Sequence, residues 1–222
     1  MRIFTIIAIF AGLTAIAFST LNKPSLAVEG VLDTQGRDLM TDKPDNYPIA
    51  TIAGGCFWCL ESEFRALDGI LHTRVGYTGG DLNNPGYRDI TTGQTGHSEA
   101  IEITFDPDKI SYEQLITFFL TKAHDPTTLN RQGVDVGTQY RSEIYYHDSD
   151  QEETAKTLIA KVNAQKIYKN PIVTKVSAAG KFWVGEEYHQ QYYEKYEKEK
   201  GEVHPRVYFK KQAKKLKLQE RP

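Results

Sequence analysis

The sequence predicts an α+β fold, a mixed sheet with helices packed against it in a ferredoxin-like two-layer sandwich. Three observations lead there. Short β-leaning runs and apolar-periodic helical stretches follow one another in the order β-α-β, β-α-β, α-β. The 222 residues, 40% hydrophobic and 25% charged, suffice for one domain of about 150 to 200 residues and its core, with ends to spare. Two long polar stretches bearing glycine interrupt the periodic segments, and loops of that length in compact domains usually carry a site.

The elements follow in order. Ile49 to Ala53 is a β-leaning run after Pro48, broken by Gly54-Gly55. Cys56 to Leu67 reads as a helix, with Phe57, Leu60, Phe64 and Leu67 at spacings of three and four. Leu71 to Tyr77 is the next strand. Residues 78 to 97 hold five glycines, a proline and two asparagines, the composition of a long irregular loop. Ala100 to Phe105 alternates Ile101, Ile103 and Phe105 against Glu102 and Thr104, which predicts a half-buried strand. Ser111 and Gln114 form a capping box, and Leu115, Phe118 and Phe119 supply that helix's apolar face. His124 to Thr138 is a second glycine-bearing loop, and Tyr140 to Tyr146 a strand. Ser149 and Glu152 open a helix expected to reach about Tyr168. Ile172 to Ala178 is another strand, and residues 187 to 198 a short helix rich in tyrosine.

The ends read differently from the middle. Arg2, the uncharged apolar run Ile3 to Phe18 and the small residues of Ser25-Leu26-Ala27 have the build of a signal peptide over residues 1–27. Removed, the segment implies export to the periplasm or beyond; retained, it would anchor the chain in a membrane, since about 16 apolar residues fall just short of a span. Residues 28–46 are a polar linker, 47–198 the folded domain, and 199–222 a basic tail read as solvated. A net charge of −2 gives no footing for nucleic-acid binding.

Both cysteines stand in one Cys-x-x-Cys, at 56 and 59. A loop that short closes almost no chain entropy, so stapling the fold is a poor explanation for the pair. Gly54-Gly55-Cys56-Phe57-Trp58-Cys59 lies where a strand turns into a helix. Glycines permit a tight turn and a close approach. A cysteine at a helix start meets free amides and the positive end of the dipole, which lowers its pKa and makes it a nucleophile. Cys59 follows one turn later, within reach of a disulfide at about 5.5 Å between Cα atoms. A zinc site would need two more ligands, and the six histidines show no second paired motif. A thioredoxin-like disulfide exchanger, a structural disulfide and a redox-inactive binding protein remain the competing readings at this point.

The motif resembles the signature of the peptide methionine sulfoxide reductase A family. Further segments match in order: Gly76-Tyr77-Thr78-Gly79-Gly80, Tyr87-Arg88, Gly96-His97-Ser98-Glu99-Ala100, His124-Asp125-Pro126, Gly137 to Ser142, and His189-Gln190-Gln191-Tyr192. The resemblance spans about Ile52 to Tyr196. It implies reduction of methionine S-sulfoxide, free or within proteins, to methionine, in the repair of oxidised proteins. Cys56 resembles the nucleophile and Glu99 the general acid, while Tyr87 and Tyr140 look like phenols that hydrogen-bond the sulfoxide oxygen. Asp135 resembles an acidic residue that orders the site through water. Phe57 and Trp58 look like walls of an apolar substrate pocket, with His189 as a further binding residue or a structural hydrogen-bond partner. No metal or organic cofactor is implied. The expected partners are methionine sulfoxide and a thioredoxin-like reductant. Many relatives keep a resolving cysteine in a glycine-rich C-terminal tail; the residues after Tyr196 contain none, which makes Cys59 the candidate resolving thiol.

Overall fold

The computed structural model describes Pro44 and residues 46–206. The expected signal segment, almost all of the linker and the tail from residue 207 lie outside the described residues.

Three strands and their crossings define the architecture. β1 (Ile49–Gly54) is followed by α1 (Phe57–Arg65) and β2 (Ile70–Thr78), and β3 (Ser98–Phe105) lies between the two strands, antiparallel to both. This split β-α-β unit is completed by α3 (Tyr112–Phe118) and β6 (Ser142–Tyr146), which pairs antiparallel with β1. The inner sheet order β6-β1-β3-β2 is that of a ferredoxin-like sandwich. β7 (Lys175–Ala178) adds to β6 in parallel, so the sheet is mixed, and β8 (Trp183–Val184) caps the β2 edge. The α+β expectation holds.

Period-two alternation sets which side chains meet the helices. Ala50 and Ile52 of β1, Val75 and Tyr77 of β2, Ile101, Ile103 and Phe105 of β3 and Ile144 of β6 share one core with Phe57, Leu60 and Phe64 of α1. Leu115, Ile116, Phe119 and Leu120, with Leu158 and Val162 of α4 (Ser149–Ala164), close that layer. Each fully buried side chain of this size contributes about 1.5–3 kcal/mol.

Several boundaries differ from expectation for identifiable reasons. β3 is buried on both faces, because Ala179 and Phe182 cross behind Ala53, Ala100 and Tyr145, and Arg74 pairs with Glu102 at 2.7 Å. The glycine-rich stretch after β2 contains a short helix, α2 (Tyr87–Thr91), started by the Asp89 carboxylate, which accepts the Gly86 amide at 2.9 Å. The second loop holds a small hairpin, β4 (Arg131–Gln132) and β5 (Asp135–Val136), turning through Gly133 at φ +61°. β6 begins at Ser142 because Thr138–Tyr140 form a 3-10 turn. The cap of α4 is Asp148, whose carboxylate accepts the Gln151 amide at 2.8 Å, and that helix stops at Ala164, before Lys166 at φ +51°. Residues 172–174 stay outside the sheet, with Val173 N–H bonded to the Pro126 carbonyl. The tyrosine-rich helix is split at Gln191 (φ +51°) into a 3-10 turn, Glu187–His189, and α5 (Tyr192–Lys200).

Candidate active site

The site forms where β1 turns into α1. Cys56 caps that helix through its backbone: its carbonyl accepts the amides of Cys59 at 3.1 Å and Leu60 at 3.3 Å. Its side chain makes no capping hydrogen bond. The first helical amide, Phe57 N–H, goes instead to Glu99 Oε2 at 3.1 Å. The expectation of a lowered thiol pKa is therefore corrected. A hydrogen bond with Cys59 and then burial push Cys56 well above its ordinary value. The residue is 8% exposed, and Cys59 also contacts the Tyr193 hydroxyl, at 3.3 Å from its Sγ.

The two glycines admit close neighbours, but these are protein groups. A Cβ on Gly54 would lie 2.9 Å from the His124 and Phe119 rings. Gly55 has φ +91°, and a Cβ there would meet Gln132 at 2.5 Å. Gln132 belongs to the hairpin whose next strand carries Asp135, so this contact sets the hairpin against the start of α1.

Glu99 stands on β3 opposite Tyr77 and shares the core-facing side of Ile101 and Ile103. It is 2% exposed. Burial raises its carboxyl to about 8 even though the Phe57 amide works the other way, and the charge of Asp135 adds to the rise. At neutral pH the carboxyl holds a proton, the state an acid catalyst needs.

Tyr87 and Tyr140, from α2 and the 3-10 turn, converge on the same place. Burial and then the Glu99 charge raise both phenols, Tyr87 to about 12. Neither hydroxyl is engaged by another described residue. Tyr87 is fixed from behind by Glu186, which accepts its amide at 2.8 Å and the Tyr77 hydroxyl at 2.7 Å.

An aromatic group backs the thiol. Phe57 is buried to 1% exposure and faces Tyr77, Tyr87 and His189 at centroid distances of 5.9, 6.5 and 5.0 Å. Trp58 is only partly buried and stacks on Tyr192 at 3.9 Å. Its indole N–H donates to His189 Nδ1 at 3.1 Å, which puts the proton of a neutral imidazole on Nε2. Burial holds His189 down at about 4, so it stays neutral and orients the indole.

All nine residues singled out from the sequence fall in this region. Three contributors were missed. Glu186 and Tyr193 had no motif of their own. Arg206 lay in a stretch read as solvated, although its Nη2 pairs with Asp135 Oδ2. The available signal was the apolar and aromatic content of Val203-His204-Pro205-Arg206-Val207-Tyr208-Phe209, unlike a purely charged end.

A cysteine at a helix start beside a second thiol, a buried protonated carboxyl and two unengaged phenols, on a ferredoxin-like sheet, define a thiol oxidoreductase that can protonate a leaving oxygen. Comparison with known proteins narrows the class. The family model described as peptide methionine sulfoxide reductase matches residues 48–221. The chain is 52% identical over 146 residues to a peptide methionine sulfoxide reductase MsrA of Acidobacterium capsulatum, covering 66% of this chain and 93% of that one. It is 51% identical over 149 residues to the MsrA of Methanothermobacter thermautotrophicus, covering 67% and 88%. Among solved structures, reduced Mxr1 of Saccharomyces cerevisiae aligns with a TM-score of 0.63 at 32% identity, over 67% of this chain and 84% of that one. Methionine sulfoxide reductase A of Corynebacterium diphtheriae aligns equally well, at 32% identity over 75% and 81%. The chain belongs to the peptide methionine sulfoxide reductase A family.

Proposed function

We propose that this chain reduces methionine S-sulfoxide, free or in proteins, to methionine, with Cys56 as nucleophile and Glu99 as acid. The observation that carries the reading is the Glu99 carboxyl, 2% exposed and tied to the first amide after Cys56, with burial raising it to about 8. A sulfoxide oxygen is a poor leaving group until it is protonated, and a neutral acid beside the sulfur nucleophile meets that need.

The Cys56 thiolate attacks the sulfoxide sulfur while Glu99 delivers a proton to the oxygen. Tyr87 and Tyr140 donate hydrogen bonds to that oxygen as its negative charge grows. In the resulting adduct the sulfur–oxygen bond breaks and the oxygen, as hydroxyl, passes to the Cys56 sulfur as a sulfenic acid. The bond between Cys56 and the methionine sulfur breaks with its electron pair left on methionine, which departs. Trp58, with Phe57 beneath it, supplies the apolar wall for the methyl group, and His189 holds the indole in place. The Cys59 thiol then condenses with the sulfenic acid, giving a Cys56–Cys59 disulfide and water. A thioredoxin-like dithiol protein reduces that disulfide by exchange and is itself oxidised. Asp135 keeps the polar rim of the site ordered.

The N-terminal composition supports export of the folded domain, with cleavage after Ala27. Mass analysis of the mature protein should then begin at Val28; retention of residues 1–27 would make the segment an anchor. The activity itself is tested by methionine release from the S-sulfoxide with dithiothreitol as reductant. A disulfide exchanger or a binding protein would release none.

A further inference from the structure

The chain that follows α5 turns back on the site. Gly201, at φ +70°, ends the helix and lets the backbone reverse. His204 then seats its ring among three tyrosines, 4.8 Å from Tyr193, 4.7 Å from Tyr196 and 6.0 Å from Tyr192. Tyr193 is the residue whose hydroxyl touches Cys59. Two residues on, the Arg206 guanidinium pairs with Asp135 on β5, across the site from α5. His204 and Arg206 are thus both fastened, the first to the wall behind Cys59 and the second to the hairpin that presses on Gly55. The side chain of Arg206 is 36% exposed and that of Asp135 18%, so their attraction is only partly screened.

We propose that Val203–Arg206 is a strap belonging to the active site, running from the tyrosine wall behind Cys59 to the β4–β5 hairpin, and that Arg206 is a positioning residue that brings a fixed positive charge to the side of the Cys56–Cys59 pair. The inference rests on Cys56 being the nucleophile. The need for such a cation follows from the geometry at the helix start. The thiol receives no amide from α1: no capping bond reaches the sulfur, the Cys59 amide goes to the Cys56 carbonyl, and the Phe57 amide goes to Glu99. The titratable neighbours that act on Cys56 are otherwise acidic or neutral. Cys59 of α1 and Glu99 of β3 oppose its ionisation, whereas Arg206 favours it. Asp135 of β5, Tyr87 of α2, Tyr140 and Tyr193 complete the surroundings. Arginine suits the post because it stays charged at any working pH and its planar fork holds a carboxylate while presenting a charged face elsewhere.

The test reads the thiol directly. In a Cys59→Ser background the rate of Cys56 alkylation by iodoacetamide is measured against pH for Arg206, Arg206→Gln and Arg206→Lys, each checked for its native circular dichroism spectrum. The expected result is an upward displacement of the profile by about one pH unit in Arg206→Gln, equivalent to a roughly tenfold slower alkylation at neutral pH. Arg206→Lys should recover half or more of that loss. His204→Ala, which loosens the strap without touching the charge, should displace the profile in the same direction. Superimposable profiles for Arg206 and Arg206→Gln would overturn the proposal. Equal displacement in Arg206→Gln and Arg206→Lys would overturn it too, because charge would then not be the cause. Failure of the nucleophile assignment would show separately, as sulfoxide turnover surviving Cys56→Ser.

Discussion

Glu99 accepts a single charge-stabilising hydrogen bond, from the Phe57 amide, yet its carboxyl sits at about 8 because burial outweighs that bond. Glu99→Gln keeps the shape and the acceptor but has no proton to give. The single-turnover rate of methionine release should fall by roughly 10² to 10⁴; unchanged kinetics would make Glu99 a bystander. The same group leaves a mark on stability. Its folded pKa is raised, so between about 4.5 and 8 the native state holds a proton that the unfolded chain releases. The stabilising contribution is complete below about 4.5 and is lost as pH rises through 8, by up to about 1.4 kcal/mol per pH unit. Urea unfolding at pH 5 and pH 8 should therefore show a smaller difference in Glu99→Gln than in the native chain; equal differences would mean that the carboxyl is ionised in the fold. Read alone, Glu99 is a charge on a strand. Its parity with Ile101 and Ile103 was the available clue that it faces inward, and the resemblance supplied the role. The thiol pKa was misjudged because the sequence pattern shows neither the hydrogen bond with Cys59 nor the burial that raise it.

The turn from β1 into α1 is the element on which the site depends. Gly55 has a positive φ and no room for a Cβ beside Gln132. Gly55→Ala should cost about 1–3 kcal/mol in backbone strain alone, seen as a fall in Tm of about 2–10 °C, together with weakened turnover as the hairpin shifts. A variant as stable and active as the parent would show that the turn is adaptable. Cys59 belongs to this element as well. Cys59→Ser should still release about one methionine per enzyme without reductant, accumulate a trappable sulfenic acid and lose thioredoxin-driven turnover. Undiminished thioredoxin-driven turnover would make it a packing residue of α1. Helices with strong apolar spacing or a capping box, such as α1 and α3, were legible within two residues or so. α2 and the β4–β5 hairpin were not, since each is too short for periodicity and depends on turn hydrogen bonds. The split of the last helix follows from one left-handed residue, Gln191, whose conformation no local pattern announces.

At the scale of the molecule, chain order and alternation were enough for the two-layer sandwich, because a split β-α-β unit leaves few ways to arrange four strands. The second face of the sheet was not legible. Its cover, Ala179 and Phe182, comes from a stretch with no regular pattern, and Glu102 reads as solvent-facing until Arg74 is known to lie beside it. Arg206 was misread for a related reason: the basic composition of residues 199–222 suggests solvation, whereas this residue has a specific carboxylate partner in Asp135. Strand order, the helix start and the returning tail together bring Cys56, Cys59, Glu99, the two phenols and Asp135 to one place. The most direct test of that constellation as a sulfoxide reductase is reductant-free single turnover with methionine S-sulfoxide, followed by peptide mass spectrometry. The native chain should release about one methionine per molecule and acquire a Cys56–Cys59 disulfide, and Cys56→Ser should release none. Methionine release by Cys56→Ser at about a tenth or more of the native amount would contradict the account.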